Sequence, residues 1–327
     1  MDVSTTMQTP RKWKPDRPVS KGAEAYHEAV VNAPYYIENL REFVNIVSDK
    51  IKEDDIVVDF GAGTGVSALY FLKYLKIKFR LWLVDNSAAW LGKAYDIFKS
   101  NPNVSCFLLE KINGRYETLA EIVGNDIADH VISANTVHLI PDLGAAFKGI
   151  YSSIKPLGTF TFQSGNISRD GREKGTLMVD DTVKRVHDLA LDIIRTNDKF
   201  QKYRKDLDKR IQAEDEQRKF VFPDPRPLEI YLKNLKDTGF KYIEMNYKLI
   251  RIKYKDWLNF LRVKRLQAGI LPEVGGKEAS AEEAHDRDLL ITLGSDRLFK
   301  ELEEKNPMAD DKSFTTEWVY VSAKKVA

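Results

Sequence analysis

The segment Asp59-Phe60-Gly61-Ala62-Gly63-Thr64-Gly65 is the part of this chain best equipped for chemistry. It follows directly on the apolar run Ile56-Val57-Val58. Glycines at alternate positions let a backbone turn tightly and come close to a ligand. A helix begun just after them offers free N–H groups and the positive end of its dipole. Such a site suits a carboxylate or a phosphate. A dinucleotide fingerprint requires Gly-x-Gly-x-x-Gly, with the third glycine where helix and strand pack. Val66 occupies that sixth position, so the fingerprint fails. Asp59 argues the same way, because a carboxylate so near would repel a pyrophosphate. Two more polar features follow: Asp85, 24 residues after Gly61, and the stretch Asn135-Thr136-Val137-His138-Leu139-Ile140-Pro141-Asp142. A single cysteine, Cys106, and the absence of any Cys/His cluster with zinc-type spacing lead us to expect no metal site.

These residues need elements to place them. Ser67 to Leu75 reads as a helix and Phe79 to Val84 as a second strand. Ala88 to Phe98 is helical, Val104 to Leu109 a third strand, and His130 to Ala134 a fourth. Leu143, Phe147, Ile150 and Ile154 fall on one helical face. Pro156-Leu157-Gly158 reads as a turn before a fifth strand, Thr159 to Gln163. Buried strands alternating with helices indicate right-handed βαβ units and a parallel sheet covered on both faces. Beyond Gln163 the pattern turns charged and helical, with one apolar stripe through Val183, Val186, Leu189, Ala190, Ile193 and Ile194. Phe240 to Ile252 reads as a long strand and Lys255 to Leu266 as an aromatic-rich helix. Glu278 to Glu304 reads as a helical pair broken near Gly294, and Thr315 to Ser322 as a final strand.

Taken in order, these features resemble class I S-adenosylmethionine-dependent methyltransferases of the small-molecule type. In that family an acid two positions before the first glycine lies near the cofactor's ammonium group, as Asp59 would. An acid ending the second strand accepts hydrogen bonds from both ribose hydroxyls, which is the place of Asp85. Asp85-Asn86-Ser87-Ala88-Ala89-Trp90-Leu91 resembles the family's acid, helix cap and apolar residue over the adenine, with Trp90 where methionine is commoner. His138-Leu139-Ile140-Pro141-Asp142 resembles its His-Leu-Pro-Asp with one residue inserted, and Pro156-Leu157-Gly158-Thr159 its turn before the fifth strand. The implied fold class is α/β: a Rossmann-like, doubly wound, seven-stranded sheet with the last strand antiparallel, an N-terminal helical cover and a helical lid insertion. The implied cofactor-binding residues are Tyr26, Asp59, Gly61, Ala62, Gly63, Asp85, Asn86, Trp90 and Asn135. After the third strand, where Glu110, Lys111, Ile112 and Asn113 compete, Ile112 is added. His138 is the best-placed candidate base; His27, His130, His187 and His285 look incidental.

The chain has 327 residues, 51 basic against 49 acidic, a net charge of only +2. That balance gives no global argument for nucleic acid. No apolar run approaches the length of a membrane span. The lone cysteine favours a reducing, cytoplasmic setting over a disulfide-built secreted one. Charge is segregated late: residues 241–265 carry eight bases against two acids, and residues 273–311 twelve acids against five bases. These stretches are expected to dock on each other or stay solvated. The expected organisation is a flexible tail (1–20), a helical cover (21–55), the cofactor-binding core (56–163), a helical lid or substrate insertion (164–226), and the C-terminal part of the core (227–327) with a helical insertion at 253–313.

The leading expectation is transfer of a methyl group from S-adenosyl-L-methionine to an oxygen or nitrogen, with carbon also open, of a small molecule, leaving S-adenosyl-L-homocysteine. Two alternatives stand beside it. One is a cofactor-binding protein of the same fold with a regulatory or non-methyl role. The other is an RNA or protein methyltransferase that uses the basic stretch. The insertion at 164–226 could also serve as a homodimer contact.

Overall fold

The computed structural model describes residues 10–276, 278–305 and 312–326. Helix α1 (Lys21–Val31) starts at Ser20, whose hydroxyl accepts from the Ala23 N–H at 3.1 Å, the usual service of an N-cap serine. Helix α2 (Pro34–Val47) has proline in its first turn, where no N–H is missed. It buries Tyr35, Tyr36, Leu40, Phe43, Val44 and Val47. Strand β1 (Ile56–Phe60) is buried throughout, as an interior parallel strand must be. Then come α3 (Val66–Tyr74), β2 (Arg80–Asp85), α4 (Ala88–Phe98), β3 (Val104–Leu108), α5 (Leu119–Val123), β4 (Ala128–Ala134), α6 (Leu143–Ser153) and β5 (Ile154–Ser164). The remainder comprises α7 (Val179–Thr196), α8 (Leu207–Val221), α9 (Leu228–Thr238), β6 (Lys241–Lys253), α10 (Tyr254–Leu261), α11 (Lys264–Ile270), α12 (Ala281–Lys305) and β7 (Ser313–Lys324).

The seven strands form one sheet in the order β6-β7-β5-β4-β1-β2-β3. Strands β1 to β5 pair in parallel, and β7 runs antiparallel to both β5 and β6. This is the doubly wound, Rossmann-like architecture with an antiparallel last strand. Two apolar layers flank the sheet. One packs Val58, Phe60, Phe160 and Phe162 against α5, α6 and α9. The other packs Val57, Leu81 and Tyr320 against α1 to α4 and the later helices α7, α10, α11 and α12.

Three local readings change. The turn at Pro156-Leu157-Gly158 lies inside β5, as an irregularity of pairing with β4 in which Leu157 takes φ 69°. The aromatic helix is two helices, because Arg262 and Val263 break it and redirect α11. The late charged segment is one unbroken helix of 25 residues. Gly294 does not interrupt α12 but lets it approach α7: a Cβ there would lie 2.9 Å from the Val186 carbonyl oxygen. Acids of α12 pair toward α7 and the turn after it, through Arg185–Glu301 at 2.5 Å and Lys202–Asp286 at 2.8 Å, and Arg297 of α12 pairs with Asp192 of α7 at 2.6 Å. The two oppositely charged stretches meet at Arg262 and Asp288, 3.5 Å apart.

Of the tail expected at 1–20, residues 1–9 lie outside the described residues. The next residues run along β3: Trp13 N–H donates to the Cys106 carbonyl at 2.7 Å, and Arg11 pairs with Glu110 and Glu117.

Gly294→Ala tests the α7–α12 approach. In an open helix the change gains about 1 kcal/mol of helix propensity. Overpacking against Val186 costs roughly 1–3 kcal/mol. Urea unfolding is expected to show net destabilisation; a gain in stability would contradict the close packing.

Candidate active site

Strand order reverses between β1 and β4, and ligands of doubly wound sheets bind at the crevice this reversal opens. The segments leaving those two strands are the glycine loop, 61–65, and the stretch that begins at Asn135. The loop turns through left-handed backbone, with Gly61 at φ 78°. A side chain at Gly61 would be strained by that angle and would collide with Thr136, whose Cγ2 lies 2.2 Å from the position of a Cβ. Thr136 Oγ1 donates to the Gly61 carbonyl at 3.0 Å, so the two segments lock together. His27 of α1 bonds Thr64 at 3.2 Å, which brings the helical cover onto the same loop.

Asp85, at the end of β2, clasps the loop from the other side. One carboxylate oxygen accepts from the Gly63 N–H and the other from the Ser87 N–H, both at 2.8 Å. Burial raises its pKa, while these N–H groups and Arg265 pull it down. Each oxygen keeps a lone pair for a further donor.

Asp59 has no solvent exposure. Ser67, in the first turn of α3, donates to one of its oxygens at 2.5 Å. The other oxygen has no partner. Burial, with the like charge of Asp85 adding to it, lifts Asp59 to about 7 against the Ser67 bond. The amide nitrogen of Asn135 is also buried and unpartnered, on a backbone with φ 52°. An unanswered acceptor and donor beside a glycine cradle fit a zwitterionic amino-acid tail, with its ammonium toward Asp59.

The roof comes from both ends of the chain. Trp90 lies over Gly63, with the Tyr26 ring 4.4 Å away and the Arg265 guanidinium 4.7 Å from its own ring. Tyr26 lies close to Tyr36, and burial raises both phenols. His138 lies on a short 3-10 turn whose Val137 and His138 carbonyls accept from Arg226, each at 3.1 Å. Burial and the Arg226 charge lower His138 to about 4, so it is neutral at physiological pH. Its Nδ1 lies 3.0 Å from Ser164 Oγ, which already accepts from the Asn166 N–H. With the Ser164 proton on Nδ1, the ring keeps its own proton at Nε2.

The structure thus gathers Tyr26, Asp59, Gly61, Ala62, Gly63, Asp85, Trp90 and Asn135 around one crevice. Asn86 follows Asp85 with its side chain exposed. Ile112 shares none of these contacts; it stands 45% exposed on a small hairpin of Lys111–Ile112 with Arg115–Tyr116. Sequence reasoning missed Ser67, Thr136, His27 and Arg265. Arg265 had a signal in its place in the basic stretch, and Thr136 in the stretch that begins at Asn135.

The fold and this site define a class I S-adenosylmethionine-dependent methyltransferase. The family model described as a methyltransferase domain matches residues 33–245, and the chain belongs to that family. It is 29% identical over 129 residues to 2-methyl-6-phytyl-1,4-hydroquinone methyltransferase, chloroplastic, of Arabidopsis thaliana. That match covers 39% of this chain and 36% of the relative, so the chain spans about a third of the relative's length. Its fold is similar to that of the YcgJ protein of Bacillus subtilis, with TM-score 0.51 and 15% identity over 89% of this chain and 99% of the other. Among the described residues, no helix is long and apolar enough to cross a membrane.

Two substitutions test the cradle. Gly61→Ala should abolish binding of S-adenosylhomocysteine by calorimetry. Asp85→Ala should weaken it at least tenfold, about 1.4 kcal/mol, with an unchanged circular dichroism spectrum. Wild-type affinity in either variant would contradict the assignment.

Proposed function

We propose that this chain methylates a small molecule at an oxygen, nitrogen or carbon nucleophile. The observation that carries the reading is the buried Asp59, with one oxygen unanswered, beside the left-handed glycine loop and the Asp85 clasp. The Arabidopsis relative's printed name, a hydroquinone methyltransferase, supports a small-molecule acceptor.

In this reading Asp59 and Asn135 hold the amino-acid end of S-adenosylmethionine. Asp85 holds the ribose, and Trp90 walls the adenine side. When bound, the cofactor would supply a methyl group on a cationic sulfur, activated for transfer to a lone pair of the acceptor. What this chain then contributes is alignment and the exclusion of water. The aromatic roof and α10–α11 give that exclusion, with Arg265 fastening them over Trp90. The segment 164–226 serves as the substrate-side lid. His138, held neutral, orients the acceptor through Nε2–H. A cytoplasmic setting fits the single Cys106, whose burial pushes its thiol up to about 12.

His138→Phe is expected to lower kcat about tenfold, below the range for loss of a dedicated general base. The KM for S-adenosylmethionine should stay unchanged. His138→Gln, which keeps a partner for Ser164, should recover part of the rate. Because His138 protonates near 4, the wild-type rate should show no His138 inflection between pH 6 and 8. An inflection near 6.5 that disappears in the variant would contradict this placement.

A further inference from the structure

Strands β5 and β7 pair with Gln163 opposite Tyr320. Gln163, Tyr320, Trp318 and Thr316 therefore share one face of the sheet, the face turned toward the helical cover. Tyr320 donates to Asn39 Oδ1 at 2.8 Å. The groups around that bond are unanswered. Both amide atoms of Gln163, the Thr316 hydroxyl, the Trp318 indole nitrogen and the Asn39 amide nitrogen are buried without a partner. So is the indole nitrogen of Trp257 on α10, whose ring meets Phe314 of the same strand at 5.5 Å. Gln163 and Thr316 have no exposure, Trp257 1% and Trp318 4%.

Buried polar groups in native proteins are nearly always paired, so such a concentration on one face asks for a ligand. Its place agrees. The Gln163 backbone carbonyl accepts from the Asn135 N–H at 3.0 Å, and Trp318 lies against Gly165; Ser164, which bonds His138, points from the opposite face of the same strand. None of the unanswered groups carries a charge. A phosphate or carboxylate bound there would be desolvated without a cation, and an ammonium without an anion. The set is instead rich in N–H donors, with the side-chain Oε1 of Gln163 free to accept from a hydroxyl. Trp318, Trp257 and Phe314 add flat apolar walls.

We infer that this face is the acceptor pocket and that it takes a neutral, hydroxyl-bearing aromatic ring, of the phenol or catechol class, held through its oxygens by the Trp318 and Trp257 indole N–H groups and the Gln163 amide. The inference rests on the methyl-transfer reading and narrows its substrate.

The test uses 15N-labelled full-length protein saturated with S-adenosylhomocysteine. The indole N–H signals of Trp257 and Trp318 are assigned through Trp257→Phe and Trp318→Phe. Catechol should move both signals, and phosphoethanolamine neither. Trp318→Phe and Gln163→Leu should each weaken catechol binding about tenfold with S-adenosylhomocysteine affinity unchanged, one hydrogen bond's worth. Movement of these signals by phosphoethanolamine, or none by catechol while S-adenosylhomocysteine is bound, would overturn the pocket and leave the methyl-transfer reading standing. Failure of S-adenosylhomocysteine itself to bind would overturn both.

Discussion

A carboxylate without solvent and with one hydrogen-bond donor is an expensive thing to build into a protein, and Asp59 is that carboxylate. Its charged form lacks a cation, and burial lifts its pKa to about 7. Even after relaxation, removing an ion from water leaves a penalty of several kcal/mol. The surrounding structure is arranged around this deficit. Ser67 answers one oxygen from the first turn of α3. The other oxygen is buried without a partner, and no neighbouring side chain neutralises it. A site kept in this condition is matched to a ligand that brings its own positive charge.

The rest of the architecture holds that geometry still. Asp85 ties the loop to the end of β2, and Thr136 ties it to the segment leaving β4. His27 and Tyr26 bring α1 down on it. The break between α10 and α11 turns Arg265 over Trp90, so a helix placed late in the chain closes a loop placed early. The close seat of α12 on α7 at Gly294 braces the helices around this closure. Each bond is of ordinary strength, and the precision comes from their meeting at one loop.

What could be read in the sequence is what local physics writes there. The run Ile56–Phe60 followed by alternate glycines declares a strand and a tight turn within one short segment. Asp85 is legible because it ends an apolar run and precedes a helix. The seven-stranded sheet with its antiparallel last strand was likewise readable, through the resemblance those motifs carried. Gly294 misled because a glycine in a helical pattern can mean either a break or a close approach, and only the neighbouring helix decides. Trp318 and Asn39 were illegible for the same reason: their meaning lies in residues far away in the chain. The N–H groups left unanswered on the β5–β7 face have no sequence signature, since burial and pairing decide whether a tryptophan nitrogen is satisfied.

The central claim is that Asp59 awaits a cationic cofactor, and proton release measures it most directly. With a pKa of about 7, Asp59 is mostly protonated at pH 6. A cation bound beside it favours the charged form and expels that proton. Calorimetric titration of S-adenosylmethionine at pH 6, in buffers of different ionisation enthalpy, should therefore register release of close to one proton, about 0.9. Affinity should rise with pH through about 7, and Asp59→Asn should remove both effects. Binding with no proton released, or binding that tightens as pH falls, would contradict the account.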